Sequence, residues 1–145
     1  MATCSFFGHS ENIAEGTENL LCSILIDLIE TKHVNEFFVG NHGQFDIMVR
    51  GLLKKLNLIY PQIKYSVVLA YFPTKKSDED FSDTCFPEAL AAVPPRFAID
   101  KRNRWLIEKS DIVVTYVCHS YGGAARYKAL AEKKGKTVIN IADIK

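Results

Sequence analysis

Several features that define common classes of protein are missing from this 145-residue chain. No apolar run approaches the roughly 20 residues that a helix needs to cross a bilayer, so we expect no transmembrane segment. The first residues contain neither a basic cluster nor a sustained apolar stretch, which argues against a secretory signal. The sequence therefore predicts a cytoplasmic protein.

The chain also lacks an excess of charge of either sign. Eighteen Lys and Arg residues against seventeen Asp and Glu residues leave a formal net charge of +1. Without a general basic field, binding to nucleic-acid backbones or to a membrane surface is not expected. Any anion site must therefore be local.

Motifs for metals and for common enzyme chemistries are missing as well. The four cysteines, at positions 4, 22, 85 and 118, are too far apart for a CxxC metal clamp and predict reduced, mostly buried thiols. His33 and His42 have no acidic or cysteine partner at metal-ligand spacing, so neither a metal nor a cofactor is predicted. The GxSxG elbow, the Walker spacing GxxxxGK[ST] and the dinucleotide motif GxGxxG are also absent.

What the sequence does contain is an alternation of apolar with amphipathic segments, with 48% hydrophobic residues overall. This alternation predicts one α/β domain over residues 1–145, formed by successive βα units. Strands are expected at residues 3–7, 36–39, 65–70, 111–117 and 137–141, and helices at 13–29, 45–56, 98–109 and 121–134. We predict a three-layer, Rossmann-like open sheet of five parallel strands in the order 3-2-1-4-5.

One connection is unusually long for a compact domain. Residues 73–95 are predicted to be irregular and contain an Asp-Glu-Asp run. A functional lid and a poorly ordered excursion are both open interpretations.

Three glycine-containing loops follow predicted strands, and the sheet order brings their strand ends to one edge. They comprise residues 8–10, residues 40–43 with Asp46 in the following helix, and residues 118–125. In the last loop two consecutive glycines enter a helix, where unpaired N–H groups attract an anion. Tight turns explain each of the first two loops taken alone, but the convergence of three favours a ligand site.

Four basic residues lie close together despite the low net charge. They are Arg96, Lys101, Arg102 and Arg104. An arginine can donate two hydrogen bonds to one phosphate. Because Arg102 and Arg104 lie about 200° apart on a helix, only one can face a ligand, and Arg104 is marginally favoured. A surface ion pair is the alternative for either.

Four segments in this order resemble the SLOG superfamily of Rossmann-like domains, especially its small bacterial and phage members with an FGH opening. The segments are Phe7-Gly8-His9-Ser10, Val39-Gly40-Asn41-His42-Gly43-Gln44-Phe45-Asp46, Arg102-Asn103-Arg104-Trp105 and Tyr121-Gly122-Gly123-Ala124. The resemblance extends over nearly the whole chain. It implies a nucleotide-derived ligand: a nucleoside monophosphate, or an ADP-ribose-like or NAD-derived compound. The superfamily includes DprA and the "lonely guy" phosphoribohydrolases.

The resemblance also implies roles for individual residues. One side of the ligand would be lined by Gly8, His9 and Ser10, the sugar region by Gly40, Asn41, Gly43 and Asp46, and the phosphate by Gly122, Gly123 and Ala124, with Tyr121 beside them.

A departure from the family pattern bears on catalysis. The phosphoribohydrolases carry PGGxGTxxE, whose glutamate takes part in glycosidic cleavage, but residues 120–129 of this chain contain neither the threonine nor the glutamate. Asp46 and Glu11 are the remaining carboxylate candidates.

We therefore expect a domain that binds or senses a nucleotide-derived ligand. The alternatives are an N-glycosidase, either phosphoribohydrolase or deoxyribosyltransferase-like, and an interaction module with a vestigial pocket. Whether the chain forms a homo-oligomer stays open.

Overall fold

The computed structural model describes residues 2–9, 13–71 and 83–144, and within these ranges it contains six strands and four α-helices. The strands are β1 (Ala2–Gly8), β2 (Val34–Val39), β3 (Lys64–Val68), β4 (Thr84–Cys85), β5 (Ile112–Tyr116) and β6 (Thr137–Asn140). The helices are α1 (Thr17–Glu30), α2 (Gly43–Ile59), α3 (Ala98–Lys109) and α4 (Gly123–Lys133). Short 3-10 helices cover Glu88–Leu90, Pro95–Phe97 and Ile141–Asp143.

All six strands are parallel and form one open sheet in the order β4-β3-β2-β1-β5-β6. The predicted Rossmann-like, three-layer α/β fold is confirmed, and the five predicted strands occur in the predicted order. The strand number is corrected from five to six. The additional strand, β4, is only two residues long and pairs with Val67 and Val68 at the edge of β3. A strand this short cannot show the alternation by which strands are recognised in a sequence.

The stretch predicted to be irregular, residues 73–95, is thus partly regular. Its described part, from residue 83, contains β4, the first 3-10 helix and the start of the second. The pairing begins one residue before β4, because the Val67 N–H donates to the Asp83 carbonyl at 2.7 Å. It also extends one residue beyond β3, because the Leu69 N–H donates to the Cys85 carbonyl at 2.8 Å. Residues 73–82 of this segment, for which a lid and a poorly ordered excursion were both open, lie outside the described residues.

Two hydrophobic clusters cover the two faces of the sheet. Consecutive residues of β1 belong to different clusters. Phe6 packs with residues of α1 and α2, whereas Phe7 packs with residues of α3 and α4. Burial on both faces explains why the central strands appear in the sequence as continuous apolar runs. In α3, Leu106 and Ile107 are buried as expected, whereas Trp105 is only partly buried and meets Phe38 edge to face at 5.3 Å.

The four cysteines form no disulfide. The expectation of mostly buried thiols is corrected, because only Cys4 is buried, Cys22 and Cys85 are half-buried and Cys118 is exposed. Over the described ranges, no helix combines the length and the apolar character needed to cross a bilayer. The cytoplasmic location stays a prediction.

The order of the strands fixes where a ligand can enter. The connections run outward from β1 in both directions, through β2 on one side and β5 on the other, which leaves a crevice beyond the carboxyl ends of these strands. The Asn140 side chain holds the start of the connection after β5, because it accepts the Val117 N–H at 2.9 Å and donates to the Val117 carbonyl at 3.0 Å. It also accepts the hydroxyl of Thr115 at 3.1 Å, so three hydrogen bonds fasten this segment to β6.

Candidate functional site

A cavity of about 750 Å³ opens at the carboxyl ends of β1, β2 and β5. The loops after β1 and β5 lie side by side, as the strand order predicts, because the His9 N–H donates to the Tyr116 carbonyl at 3.2 Å. Residues from all three glycine-containing loops line the cavity, together with residues of α3 and α4. The lining comprises Phe6, Phe7, Gly8, His9, Gly40, His42, Asp46, Ile99, Arg102, Asn103, Leu106, Cys118, His119, Tyr121, Gly122, Gly123, Ala124, Arg126 and Tyr127.

The N-terminus of α4 forms one wall of this cavity. Gly122 precedes the helix with a φ of 93° and a ψ of 174°, a conformation that is open only to glycine. Gly123, the first helical residue, has no neighbour within 4 Å of the position of a Cβ atom. The first N–H groups of a helix have no intrahelical partner and lie at its positive end. Open space therefore adjoins a group of backbone donors.

The other two predicted glycine loops serve internal packing. A Cβ atom on Gly8 would lie 2.3 Å from the ring of Phe45. A Cβ atom on Gly40 would lie 2.9 Å from Oδ2 of Asp46 and 3.2 Å from the guanidinium carbon of Arg102. Both glycines line the cavity, but their lack of a side chain is required by protein neighbours. They allow Phe45 and Arg102 to approach the backbone closely.

Arg102 forms the inner wall and is only 2% exposed. Its Nη1 donates to the Val68 carbonyl at 3.0 Å and to Oδ1 of Asn41 at 3.2 Å. Its Nε donates to Oδ1 of Asn103 at 2.7 Å, and its Nη2 lies 3.4 Å from Nδ1 of His42. Since guanidinium only donates, Nδ1 of His42 is the acceptor there. The buried charge thus links α3 to the ends of β2 and β3.

Asp46 places a carboxyl group beside this guanidinium. Its Oδ2 accepts the backbone N–H of His42 at 2.9 Å. Burial raises the pKa of Asp46 to about 6, although the His42 hydrogen bond and the Arg102 charge both act to lower it. A carboxyl group that titrates near neutrality in a cavity can accept or donate a proton under ordinary conditions.

The structure places Arg102 at the cavity, and not Arg104, which the sequence marginally favoured as the ligand contact. Arg102 lines the cavity, whereas Arg104 does not and its Nε donates to Oδ2 of Asp100 on the surface at 3.0 Å. The two side chains point in different directions, as their spacing predicts, but Arg102 and not Arg104 lies on the side of α3 that faces the cavity. Arg104 and Asp100 form an i,i+4 surface ion pair, which is the alternative to a ligand contact that the sequence left open for either arginine.

Arg126, on the first turns of α4, supplies a second guanidinium to the cavity. Its Nη2 lies 3.5 Å from Oδ1 of Asp100, and its charge lies 5.5 Å above the ring of Tyr127. Tyr127 itself donates its hydroxyl to Asp100 at 2.6 Å, and this bond is the main cause that lowers the pKa of Asp100. The Arg126 side chain is 63% exposed, so its ion pair with Asp100 and its contact with the Tyr127 ring hold it only weakly.

Three stacked rings stand at the mouth of the cavity. We call His9, His119 and Tyr121 the ring column. The His9 and His119 centroids are 3.9 Å apart with planes inclined by 20°, and those of His119 and Tyr121 are 3.8 Å apart with planes inclined by 12°. The Cys118 N–H donates to Nε2 of His9 at 2.9 Å, which fixes that ring with its proton on Nδ1. Burial and the nearby His119 lower the pKa of His9, so the neutral form is favoured.

The structure brings together most of the predicted site residues. Those that line the cavity are Gly8, His9, Gly40, Asp46, Arg102, Tyr121, Gly122, Gly123 and Ala124. Asn41 lies behind them as a partner of Arg102, and Gly43 begins α2 outside the lining. Ser10 and Glu11 lie outside the described residues. In the part of the chain that is described, no group of three His, Cys, Asp or Glu residues is placed to hold a metal ion.

Sequence reasoning missed several lining residues. Arg126 was identifiable from its place three residues after Gly123, where a helix beginning at the glycines puts it on the first turns. No local pattern marks His42 or Tyr127 as a lining residue. His42 contacts Arg102 of α3 and Tyr127 contacts Asp100 of α3, and only tertiary packing creates these contacts.

The fold and the cavity together define an open-sheet α/β protein with a candidate ligand site at the strand ends. Comparison of the sequence with protein-family models and with curated proteins finds no match.

The first prediction concerns the two arginines of α3. Arg102→Gln should lower the free energy of unfolding by about 2–4 kcal/mol, because it leaves the buried Val68 carbonyl without its donor and Asp46 without a neighbouring cation. Arg104→Gln should cost less than about 0.5 kcal/mol, since it breaks only an exposed ion pair. Urea denaturation of both variants measures the difference. Equal losses would contradict the assignment of Arg102 as the buried member.

The second prediction concerns the pH dependence that Asp46 imposes. Its pKa of about 6 in the folded protein exceeds the usual value of 3.8, so the folded state holds the proton more tightly and stability falls as the pH rises through this window. Asp46→Asn lacks this loss and can still accept the His42 N–H. The stability of the variant relative to the parent should therefore rise by about 2 kcal/mol between pH 4 and pH 7. Urea denaturation at several pH values tests this, and a constant difference would refute it.

Proposed function

We propose that this protein binds a nucleotide or nucleotide-derived ligand in the cavity at the carboxyl edge of its sheet. The observation that carries the proposal is the N-terminus of α4, where Gly122, Gly123 and Ala124 line the cavity and the space at the Cβ position of Gly123 is open. A helix N-terminus with small residues suits a phosphate group. The resemblance to the SLOG superfamily, noted from the sequence, supports the same class of ligand.

The cationic groups around the cavity supply the local attraction that a net charge of +1 cannot. Arg102 is already engaged by four protein partners, so it acts chiefly as a fixed positive charge in the inner wall. Arg126 is different, because it lies beside the α4 N-terminus and its partners are an exposed ion pair with Asp100 and the ring of Tyr127. We assign Arg126 as the arginine that exchanges its ion pair for a ligand phosphate.

Asp46 suits the sugar of such a ligand. With a pKa of about 6 it is mostly ionised at neutral pH, and a carboxylate accepts hydrogen bonds from two neighbouring hydroxyl groups. Asp46 lies beside Gly40, and the resemblance assigns both residues to the sugar region.

A second candidate function is cleavage of an N-glycosidic bond, and the observation that favours it is again Asp46. Hydrolysis of a nucleotide needs a carboxylate to stabilise the oxocarbenium-like sugar or to activate water. Asp46 is a half-buried cavity carboxyl group with a pKa of about 6, as general-base activation of water requires. Against it, Ala129 stands where the phosphoribohydrolases carry their glutamate. We therefore rank ligand binding without turnover first.

The third prediction tests ligand binding through Gly123. Gly123→Val fits the backbone without a clash, but its side chain occupies the space beside the helix donors. Thermal shift and calorimetry with AMP, GMP, ADP-ribose and NAD should show binding to the parent protein, since a ligand selective for the native state stabilises it. The variant should stay folded and lose about 2–3 kcal/mol of binding free energy.

A matched control for this experiment is Gly51→Val. Gly51 is exposed on α2, also has no neighbour within 4 Å of its Cβ position, and does not line the cavity. Binding should survive in this variant. If Gly123→Val binds as well as the parent, the phosphate lies elsewhere. If no compound stabilises the parent, the binding proposal fails and an interaction module with a vestigial pocket becomes the better reading.

The fourth prediction separates binding from catalysis. Purified protein incubated with nucleoside monophosphates should release no free base when the products are separated by chromatography. Base release by the parent that disappears in Asp46→Asn would establish the glycosidase instead, because that substitution removes the charge and keeps the shape.

A further inference from the structure

The ring column has one closed end and one open end. At the closed end, His9 meets Tyr116 edge to face at 6.2 Å, and Tyr116 is buried. At the open end, Tyr121 is 71% exposed although it lines the cavity. Among the described residues, no further ring stacks on Tyr121 beyond His119.

The column is held in place from the backbone. Nδ1 of His119 lies 2.9 Å from the Tyr121 carbonyl, and because a carbonyl only accepts, this nitrogen donates. The Cys118 N–H fixes His9 in the same loop. The Tyr121 ring is therefore held against an ordered support. Because the ring is already ordered, stacking of a planar group on it costs the protein little conformational entropy.

The location of Tyr121 connects this surface to the phosphate region. Two peptide units separate it from Gly123, so their Cα atoms are at most about 7 Å apart. A single small ligand can thus reach both the α4 N-terminus and the Tyr121 ring. Of the parts of a nucleotide, only the base is a planar π system that stacks on an aromatic side chain.

We propose that the nucleobase of the ligand stacks on the open face of Tyr121, as the fourth ring of the column. This inference rests on the proposed function and adds the position of the base to it. The base then lies at the mouth of the cavity and the phosphate at the start of α4. Stacking tolerates any base, so selectivity among bases is weak, and purines bind more tightly than pyrimidines because their rings are larger.

Two probes that differ only by the base test the inference. AMP and ribose 5-phosphate are titrated calorimetrically against the parent, Tyr121→Ala and Tyr121→Phe. Tyr121→Ala should weaken AMP binding roughly 10- to 100-fold while the affinity for ribose 5-phosphate stays unchanged. Tyr121→Phe keeps the ring and should bind AMP like the parent. Circular dichroism and thermal melting confirm that each variant is folded, which the exposure of Tyr121 leads us to expect.

The outcomes separate this inference from the proposed function. If AMP binds the parent and Tyr121→Ala equally well, the base lies elsewhere and the inference is overturned, while nucleotide binding stands. If Tyr121→Ala weakens both probes by the same factor, Tyr121 acts through the loop and the stacking role is also overturned. If the parent binds neither probe nor ADP-ribose, the proposed function fails and the inference falls with it.

Discussion

The buried guanidinium of Arg102 is the interaction on which the arrangement of this site depends. Its partners come from the ends of β2 and β3 and from the loop that begins α2, so one side chain sets how closely α3 approaches the sheet edge. Gly40 has no side chain where this group must pass, and the Asp46 carboxyl group lies beside it. A buried charge of this kind is unstable without partners, and its four hydrogen-bonding partners are what make it tolerable.

The two sides of the cavity are consequently different in character. The side formed by β2 and α3 carries the fixed charge of Arg102, which four protein groups hold in place. The side formed by the β5 loop and α4 has backbone donors in open space, a weakly held Arg126 and an exposed Tyr121. In an enzyme or a binding protein, a rigid wall orients a ligand while the unsatisfied groups provide the contacts.

Features of this structure that depend on residues close together in the sequence could be predicted, and features that depend on tertiary packing could not. The limits of α3 were predictable because helical spacing is local. The strand order was predictable because parallel βα units are joined by right-handed crossovers. Strand β4 was not, since its two residues carry no period. The choice between Arg102 and Arg104 required the helix phase to within one residue, which sequence patterns do not give. The roles of Gly8 and Gly40 depended on Phe45 and Arg102, whose positions come from tertiary packing.

The different surroundings of the glycines have a consequence for how this fold could diverge over evolutionary time. At positions 8 and 40, selection for a stable protein alone is enough to keep glycine, because any side chain there would displace a packed neighbour. At position 123 the fold imposes no such restriction. A lineage that no longer needed the contents of the cavity would therefore accumulate side chains at position 123 while positions 8 and 40 stayed glycine. Among these three glycines, loss of function would therefore be visible in the sequence only at position 123.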